Sequence, residues 1–343
     1  MENLFVKKQK REIPIFFATD DNYIPFLDVA LRSLIDNASR DYIYTINILN
    51  TGIKQENIEK IKMLEDDVFT INFVDISQDI EPIKSKLKNV YHFSIVTYYR
   101  LFIETLFPQY EKVLYLDCDI TILGDISKLY NINLGNNYIG AVMEQVINGA
   151  QVFREYAEFG VGIKPEKYIN AGILVMNLTQ FRKHNICEQF CYLISKYNFD
   201  VVDPDQAYLN LLCKDKIKYL PTGWNKESVP GKLEGDLNIV HYALYKKPWQ
   251  YDNVLNDEYF WEYAKTSPFY NEIVDRKANF SDEQKQKKEQ ANIEICEHAQ
   301  RITDADNNMC KTMFADDNLF GKLEEIATAT ANMVVLNGGV EVI

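Results

Sequence analysis

Short apolar runs alternate with amphipathic stretches along the first part of the chain. Residues 13–19, 43–49 and 68–74 are rich in apolar and β-branched side chains and predict strands. Between them, residues 25–37 and 55–65 repeat apolar side chains at helical spacing. Strands that alternate with helices build βαβ units, because parallel neighbours need a crossover connection. The pattern therefore predicts an α/β fold with a mostly parallel central sheet flanked by helices.

The same alternation continues to about residue 242. Residues 112–116 are apolar on both faces, which is typical of a central parallel strand. The remaining predicted elements are strands at 138–143, 172–176 and 239–242 and helices at 94–106, 179–197 and 205–213, with Thr179 as an N-cap.

The C-terminal part has a different pattern, with few strand signals and more acidic than basic side chains. Helices are predicted at 281–300 and 318–331, and Gly338-Gly339 follows them. We therefore divide the chain into a main domain, residues 1–270, and an acidic, mainly helical extension, residues 271–343. The extension is expected to pack on the main domain or to serve association, including a homo-oligomer.

Composition narrows the classes of function. The 343 residues carry a formal net charge of −13, from 37 basic and 50 acidic side chains. Nucleic acid is not an expected partner, because neutralising its phosphates needs clustered cations. The same charge argues against docking on an anionic bilayer, so we expect membrane association to be peripheral at most.

The lack of recognisable targeting signals and the pattern of cysteines indicate a cytoplasmic protein. No apolar run in the sequence reaches the ~18 residues that a membrane-spanning helix requires. Residues 1–11 are basic but lack the apolar segment and cleavage site of a signal peptide. The six cysteines are scattered through apolar or helical contexts, which indicates reduced thiols and not a disulfide framework.

Acidic residues follow two of the predicted strands. Asp20, Asp21 and Asn22 come after the first strand, and Asp117 and Asp119 come after the central one. Ligands of open α/β sheets bind at the carboxyl ends of strands, yet no glycine-rich phosphate loop is present here. Carboxylates alone would repel a diphosphate, so the arrangement suits a divalent cation such as Mg²⁺ or Mn²⁺ between protein and ligand. A solvated turn is the alternative for a lone Asp-x-Asp, but the buried strand before it favours the metal.

Six segments carry a resemblance to known proteins. They are Phe17-Ala-Thr-Asp-Asp-Asn-Tyr23, Thr97-Tyr-Tyr-Arg-Leu101, Val113-Leu-Tyr-Leu-Asp-Cys-Asp119, Tyr168-Ile-Asn-Ala-Gly-Ile-Leu174, Asp203-Pro-Asp-Gln206 and His241-Tyr-Ala-Leu-Tyr-Lys-Lys-Pro-Trp249. In this order they resemble glycosyltransferase family eight, whose members include bacterial lipopolysaccharide galactosyl- and glucosyltransferases and glycogenin. The resemblance covers about residues 13 to 265.

The resemblance implies a GT-A type fold and a retaining hexosyltransferase that moves glucose or galactose from a UDP-sugar to a hydroxyl acceptor. The acceptor would be a saccharide, as in lipopolysaccharide or other surface glycan synthesis. It also implies Mn²⁺, or Mg²⁺, held by Asp117, Asp119 and His241. Taken alone, His241 lies in a short apolar strand and favours a structural role in the core.

The resemblance further assigns the donor site. Ala18, Thr19, Asp20 and Asn22 would lie near the uridine and ribose, although Asp20 also suits a helix N-cap. The other implied donor residues are Arg100, Cys118, Asn170, Asp205, Gln206 and Lys247. A solvated side chain or an ion pair with Glu104 is the alternative for Arg100. An exposed surface position is the alternative for Lys247, and Lys246 beside it leaves the register open by one residue. A turn position is the alternative for Asn170.

Gln206 and Asp205 are the candidate catalytic residues. Gln206 would lie near the anomeric carbon, but an amide is a poor nucleophile, which favours front-side transfer over a double displacement. Two positions depart from the family pattern. Leu244 stands where Gly is frequent, and Glu144 stands where Asp is common.

Rival functions remain for the same residues. These are a UDP-sugar hydrolase, a self-glucosylating priming protein and a non-catalytic nucleotide-sugar-binding protein. The complete set of Asp117, Asp119 and His241 favours catalysis. A second metal group at His184, Cys187 and Cys191 is less favoured than core packing of these side chains.

Overall fold

A computed structural model describes residues 10–91, 94–243, 245–315 and 317–329. The strands are β1 (Arg11–Ala18), β2 (Tyr42–Asn50), β3 (Phe69–Asp75), β4 (Lys112–Leu116), β5 (Ile120–Ile122), β6 (Ile139–Ala141), β7 (Ile173–Asn177), β8 (Ile217–Tyr219), β9 (Lys226–Glu227) and β10 (Ile239–His241). Seven of these strands form one sheet in the order β3-β2-β1-β4-β7-β6-β8, and a small second sheet has the order β5-β10-β9.

The large sheet is mostly parallel, as predicted. β1 pairs in parallel with both β2 and β4, and β2 pairs in parallel with β3. Only β7 runs against its neighbours, β4 and β6. In the small sheet, β10 pairs antiparallel with β5, which places His241 opposite Ile120 and so next to the residues that follow β4.

Helices cover both faces of the large sheet. They are α1 (Ile24–Asn37), α2 (Gln55–Lys62), α3 (Ser77–Ile80), α4 (Ile103–Leu106), α5 (Ile126–Tyr130), α6 (Gln145–Gly149), α7 (Gln151–Glu155), α8 (Leu178–Lys183), α9 (Ile186–Lys196), α10 (Pro204–Leu212), α11 (Asp257–Ala264), α12 (Tyr270–Ala278), α13 (Asp282–Asp304), α14 (Met309–Ala315) and α15 (Asp317–Thr328). β1 shows why both faces are covered. Ile15 and Phe17 enter the apolar cluster under α1, and Phe16 enters the cluster on the opposite face.

Two predicted helices differ from the observed ones. The segment predicted as one helix over 179–197 is divided into α8 and α9, because Asn185 adopts a left-handed backbone, a conformation that Asn tolerates. Asn177, and not Thr179, caps α8 by accepting a hydrogen bond from the backbone of Gln180. The segment predicted as a helix over 94–106 is mainly a 3₁₀ helix, Ile95–Phe102, followed by the single turn α4.

The C-terminal helices lie against the main sheet domain. α13 begins with a capping box in which Ser281 and Gln284 bond to each other's backbone, and it extends to Asp304. Ile295, Ala299 and Ile302 are its buried residues. The division of the chain at residue 270 stays a prediction, and Gly338-Gly339 lies outside the described residues.

No helix in the described ranges combines the length and the apolar character needed to cross a bilayer. The six cysteines are all free.

Glu104 on α4 is a buried carboxyl group whose ionisation opposes folding. One of its oxygens accepts a hydrogen bond from the backbone N–H of Cys187, and the other has no hydrogen-bond partner among the described residues. Burial raises the pKa of Glu104 from 4.5 to about 8. Between these two values the folded protein holds a proton that the unfolded chain has lost, so stability falls as pH rises through this window.

We expect Glu104→Gln to weaken this pH dependence, because Gln keeps the acceptor for Cys187 and cannot ionise. The loss in free energy of unfolding between about pH 5 and about pH 8 should be smaller in the variant, by at most on the order of 3–5 kcal/mol at ~1.4 kcal/mol per pKa unit. Urea unfolding of both proteins at the two pH values measures this difference. Equal losses in both proteins would contradict the prediction.

Candidate active site

A cavity of about 420 Å³ opens at the carboxyl ends of β1 and β4. Every residue that the sequence assigned to the donor or metal site lines it, namely Ala18, Thr19, Asp20, Asn22, Arg100, Asp117, Cys118, Asp119, Asn170, Asp205, Gln206, His241 and Lys247. The structure thus brings together residues that are more than 200 positions apart in the chain.

Asp117, Asp119 and His241 form the group best suited to a metal ion. One ligand atom from each lies within 4.8 Å of the other two. The Nε2 atom of His241 is 3.3 Å from Asp119 Oδ1 and 3.8 Å from Asp117 Oδ2. The two aspartates follow β4 directly, and the pairing of β10 with β5 places His241 close to them.

Asn225 orients the imidazole of His241. Its Oδ1 lies 2.9 Å from His241 Nδ1, so with the proton on Nδ1 the lone pair of Nε2 faces the two aspartates. Asn225 Nδ2 in turn donates to Asn170 Oδ1 at 2.8 Å. Sequence reasoning missed Asn225, because no spacing motif marks a contact made across the fold.

Gly172 has no side chain, and this leaves space for the side chains of Asp117 and His241. A Cβ atom at this position would lie 2.3 Å from the His241 ring and 2.6 Å from Asp117 Oδ2. Only a residue without a side chain fits there. The glycine stands inside the Asn-Ala-Gly segment of the sequence, so a signal for it was present but had no assigned role.

Arg100 connects the aspartates on one side of the cavity. Its Nη2 donates to Asp117 Oδ1 at 2.9 Å, and its Nε lies 3.0 Å from Asp205 Oδ2. The guanidinium also lies 4.1 Å from the centre of the Tyr115 ring. Both alternatives are wrong, because Arg100 is only 2% exposed and its carboxylate partners among the described residues are Asp117 and Asp205, not Glu104.

Lys247 lies on the other side of the metal group. Its Nζ donates to Asp119 Oδ2 at 2.6 Å and to the backbone oxygen of Tyr242. The alternative of an exposed surface lysine is wrong, since Lys247 is only 4% exposed. The register is also resolved, because Lys246 lies instead over the rings of Tyr245 and Tyr251.

The two aspartates differ in their electrostatic surroundings. Burial opposes ionisation of Asp119, but Lys247 and His241 outweigh burial and hold the pKa of that carboxyl well below its usual range. Burial raises the pKa of Asp117, and Arg100 offsets this effect only in part. A further positive charge between the two carboxylates would therefore favour the ionised form of both.

Asn170, Asp205 and Gln206 present polar atoms on the cavity wall. Asn170 Oδ1 accepts hydrogen bonds from Gly172 and Asn225, and its amide N–H groups donate to no residue in the part of the chain that the structure describes. Asp205 Oδ2 has its ion pair with Arg100 but no hydrogen-bond partner among the described residues. Gln206 Oε1 accepts from the backbone of Ala171 at 2.9 Å.

Asp203 fixes the amide of Gln206 from behind. It accepts hydrogen bonds from the hydroxyls of Tyr156 and Tyr168, each at 2.6 Å, and from Gln206 Nε2 at 3.0 Å. Burial raises the pKa of Asp203 to about 7, although these three hydrogen bonds favour its ionised form. The sequence placed Asp203 inside a motif but gave it no role.

The residues after β1 form the far end of the cavity. Asp20 Oδ1 accepts from the backbone of Tyr23, which occupies the N-cap position of α1 without a side-chain hydrogen bond. Asp20 therefore orders the turn before the helix and is not its N-cap. The Cys118 thiol donates to the backbone oxygen of Ala18, which ties this turn to the end of β4.

Glu144, one of the two positions that depart from the family pattern, caps α6 by accepting from the backbone of Ile147. It lies in the cavity wall beside the buried Glu227, and burial raises the pKa of both carboxyls. Leu244, the other departure, lies outside the described residues. His184 packs against the ring of Tyr138 with 4.9 Å between ring centres.

Comparison with known proteins agrees with this geometry. A family model described as "Glycosyl transferase family 8" matches residues 14–253. A putative glycosyltransferase of Haemophilus influenzae is 29% identical over 211 residues, which are 62% of this chain and 62% of that protein. The match therefore spans less than two thirds of that relative.

Two further matches cover most of the length of the similar protein. A lipopolysaccharide 1,2-glucosyltransferase of Escherichia coli is 27% identical over 82% of this chain and 86% of its own length. The crystal structure of the galactosyltransferase LgtC in complex with donor and acceptor sugar analogs superimposes with a TM-score of 0.64 at 25% identity, over 75% of this chain and 96% of LgtC. Since the family model covers most of the chain and its six segments meet at one cavity, this chain belongs to glycosyltransferase family 8.

Proposed function

We propose that this protein is a metal-dependent retaining hexosyltransferase. It moves glucose or galactose from a UDP-sugar to a hydroxyl of a saccharide acceptor, as in the synthesis of lipopolysaccharide or another surface glycan. The proposed location is the cytoplasm. The observation that carries the proposal is the convergence of Asp117, Asp119 and His241 on one point of the cavity.

The chemistry of this group fits Mn²⁺ or Mg²⁺. His241 Nε2 lies 3.3 Å from Asp119 Oδ1 and 3.8 Å from Asp117 Oδ2, so all three side chains would hold one ion between them. Two carboxylate oxygens with one imidazole nitrogen form a set that Mn²⁺ accepts well. When bound, the cation supplies positive charge that neutralises the diphosphate of the donor.

The remaining residues bind and orient the donor. Ala18, Thr19, Asp20 and Asn22 receive the uridine and ribose end, beside Cys118. Lys247 lies on the opposite side of Asp119 and offsets charge that develops on the departing UDP. Arg100 is the matching cation beside Asp117.

Asn170, Asp205 and Gln206 orient the sugar. The amide N–H groups of Asn170, which donate to no residue in the described ranges, offer a donor to sugar hydroxyls. The Asp205 carboxylate, whose Oδ2 is paired with Arg100, offers an acceptor. Asp203 and Ala171 hold the amide of Gln206 in one orientation beside the reacting carbon.

The arrangement favours front-side transfer. The acceptor oxygen forms a bond to the anomeric carbon as the bond from that carbon to the phosphate oxygen breaks. The proton of the acceptor hydroxyl passes to the phosphate oxygen of the leaving UDP. Gln206 then stabilises the charge on the sugar without bonding to it, because an amide is a weak nucleophile.

Donor assays test the proposed function. We expect UDP release from UDP-glucose or UDP-galactose, more than from UDP-N-acetylglucosamine, to require Mn²⁺ and to increase with a saccharide acceptor. The product should retain the α configuration of the donor in its NMR coupling constant. Release that is equally fast with water alone would instead indicate a hydrolase, and metal-dependent UDP binding without release would indicate a binding protein. A glycosyl adduct on Gln206 or Asp205 in mass spectra would contradict front-side transfer.

Asp119→Asn should weaken the affinity of UDP in the presence of Mn²⁺ by more than about 100-fold, because it removes a direct ligand of the cation. Isothermal titration of UDP with and without Mn²⁺ measures this loss. Asp306→Asn is the matched control, since the Asp306 side chain is fully exposed outside the cavity. Manganese-independent UDP binding that is equal in all three proteins would contradict the assigned site.

Gly172→Ala should lower the affinity for Mn²⁺ by about 10- to 100-fold, because the added methyl group displaces His241 and Asp117. Manganese binding followed by electron paramagnetic resonance is the measurement. Gly321→Ala is the control, since a Cβ atom at Gly321 meets nothing within 4 Å. Unchanged manganese affinity in folded Gly172→Ala protein would show that the ion binds elsewhere.

A further inference from the structure

The long helix α13 contributes to the same cavity as the donor site. Asn292 and Ile295, from the middle of this helix, line the cavity together with the family's donor residues. The sequence assigned this region only to packing or association. Packing or association alone does not explain why two residues of α13 line the cavity.

Contacts on both sides hold α13 in place. The Tyr91 hydroxyl donates to the backbone oxygen of Glu294 at 3.1 Å, and His298 Nε2 lies 2.7 Å from Asp200 Oδ2. Lys288 Nζ donates to Gln250 Oε1 at 2.9 Å, three residues after Lys247. α13 therefore contacts the segment before the 3₁₀ helix Ile95–Phe102 and the segment that follows Lys247.

Packing against neighbouring helices holds α13 in its position beside the cavity. α13 contacts α7 and the short π-helix Tyr156–Val161 that follows α7. The Ile302 side chain of α13 lies against Gly160, at a distance that an added Cβ atom would meet in van der Waals contact, 3.4 Å away. A helix held in this way presents Asn292 from a fixed position.

Asn292 has a polar side chain that no hydrogen bond within the described residues accounts for. It is half-buried, and its amide makes no hydrogen bond to any residue in the described ranges. Two apolar side chains, Ile295 on the same helix and Phe153 on α7, which contacts α13, line the same cavity. An amide beside apolar side chains suits a sugar, which has an apolar C–H face and a rim of hydroxyls.

This part of the wall is not used by the donor in the proposed function. The uridine end is assigned to the turn after β1, the diphosphate to the metal group, and the sugar to Asn170, Asp205 and Gln206. Phe153, Asn292 and Ile295 belong to the remaining wall, which is open to an acceptor whose hydroxyl reaches the same anomeric carbon.

We infer that Asn292, with Ile295 and Phe153, forms an acceptor subsite for a neutral saccharide, so that α13 of the C-terminal extension sets acceptor specificity. The inference rests on the proposed function. A neutral acceptor is specified because these three side chains carry no charge.

The test compares Asn292→Ala with wild type in two assays. The first is transfer from the preferred UDP-hexose, with Mn²⁺, to methyl β-glucoside, methyl β-galactoside or lactose. The second is hydrolysis of the same donor by water, with each glycoside added as an inhibitor. The expected result is an acceptor KM or inhibition constant raised about 3- to 10-fold, the effect of one lost hydrogen bond to a neutral group. The donor KM and the hydrolysis rate without glycoside should not change.

Two further variants make the result specific. Gln286→Ala removes an exposed amide from the same helix and should leave all constants unchanged. Asn292→Asp keeps a hydrogen-bond acceptor of the same shape and should lose less affinity than Asn292→Ala. Circular dichroism confirms that each variant is folded.

The outcomes separate this inference from the proposed function. An active wild-type protein whose acceptor constants are unchanged in Asn292→Ala overturns the subsite alone. The subsite is also overturned if the donor KM and hydrolysis rate change in parallel with the acceptor constants, or if no glycoside affects either wild-type rate. Absence of UDP release by wild type from any UDP-hexose overturns the proposed function and, with it, this inference.

Discussion

Negative charge that is shielded from water must be matched by positive charge, and this constraint shapes the whole cavity. Asp117 and Asp119 follow a strand that is buried on both faces, so they stand at the boundary between the core and the cavity. Arg100 lies beside one carboxylate and Lys247 beside the other, and both cations are themselves almost fully buried. The protein thus supplies partial compensation from either side and leaves the space between the carboxylates and His241 for a cation. A nucleotide diphosphate approaching this edge meets the two fixed cations in addition to that ion.

Much of the central sheet could be predicted because its signals are local. Residues 13–19 and 112–116 show their strands in their own composition, and the alternation with helices implies parallel pairing. The aspartates after β4 could be placed at the sheet edge for the same reason. The division of the segment 179–197 could not be predicted by periodicity, because it depends on one left-handed residue, Asn185.

The rest of the site depends on contacts that join distant parts of the chain. His241 lies in an apolar strand, and only the family resemblance distinguished it from a core histidine. Asn225, which orients that ring, has no sequence signature, since its value lies in a hydrogen bond made after folding. Asn292 likewise has no sequence signature, because the position of α13 beside the cavity depends on its packing against α7 and the π-helix Tyr156–Val161. Sequence patterns specify elements, whereas these side chains acquire their surroundings only from the tertiary arrangement.

The small sheet has a consequence for how the metal group assembles. β5 and β10 share only three residue pairs, and one of these sets His241 opposite Ile120. A slip of one residue in so short a ladder would turn the imidazole to the opposite face. Under the proposed function, a cation that binds only the correct register would lower the free energy of that register alone, and so would stabilise the pairing of β10 with β5 in addition to holding the donor.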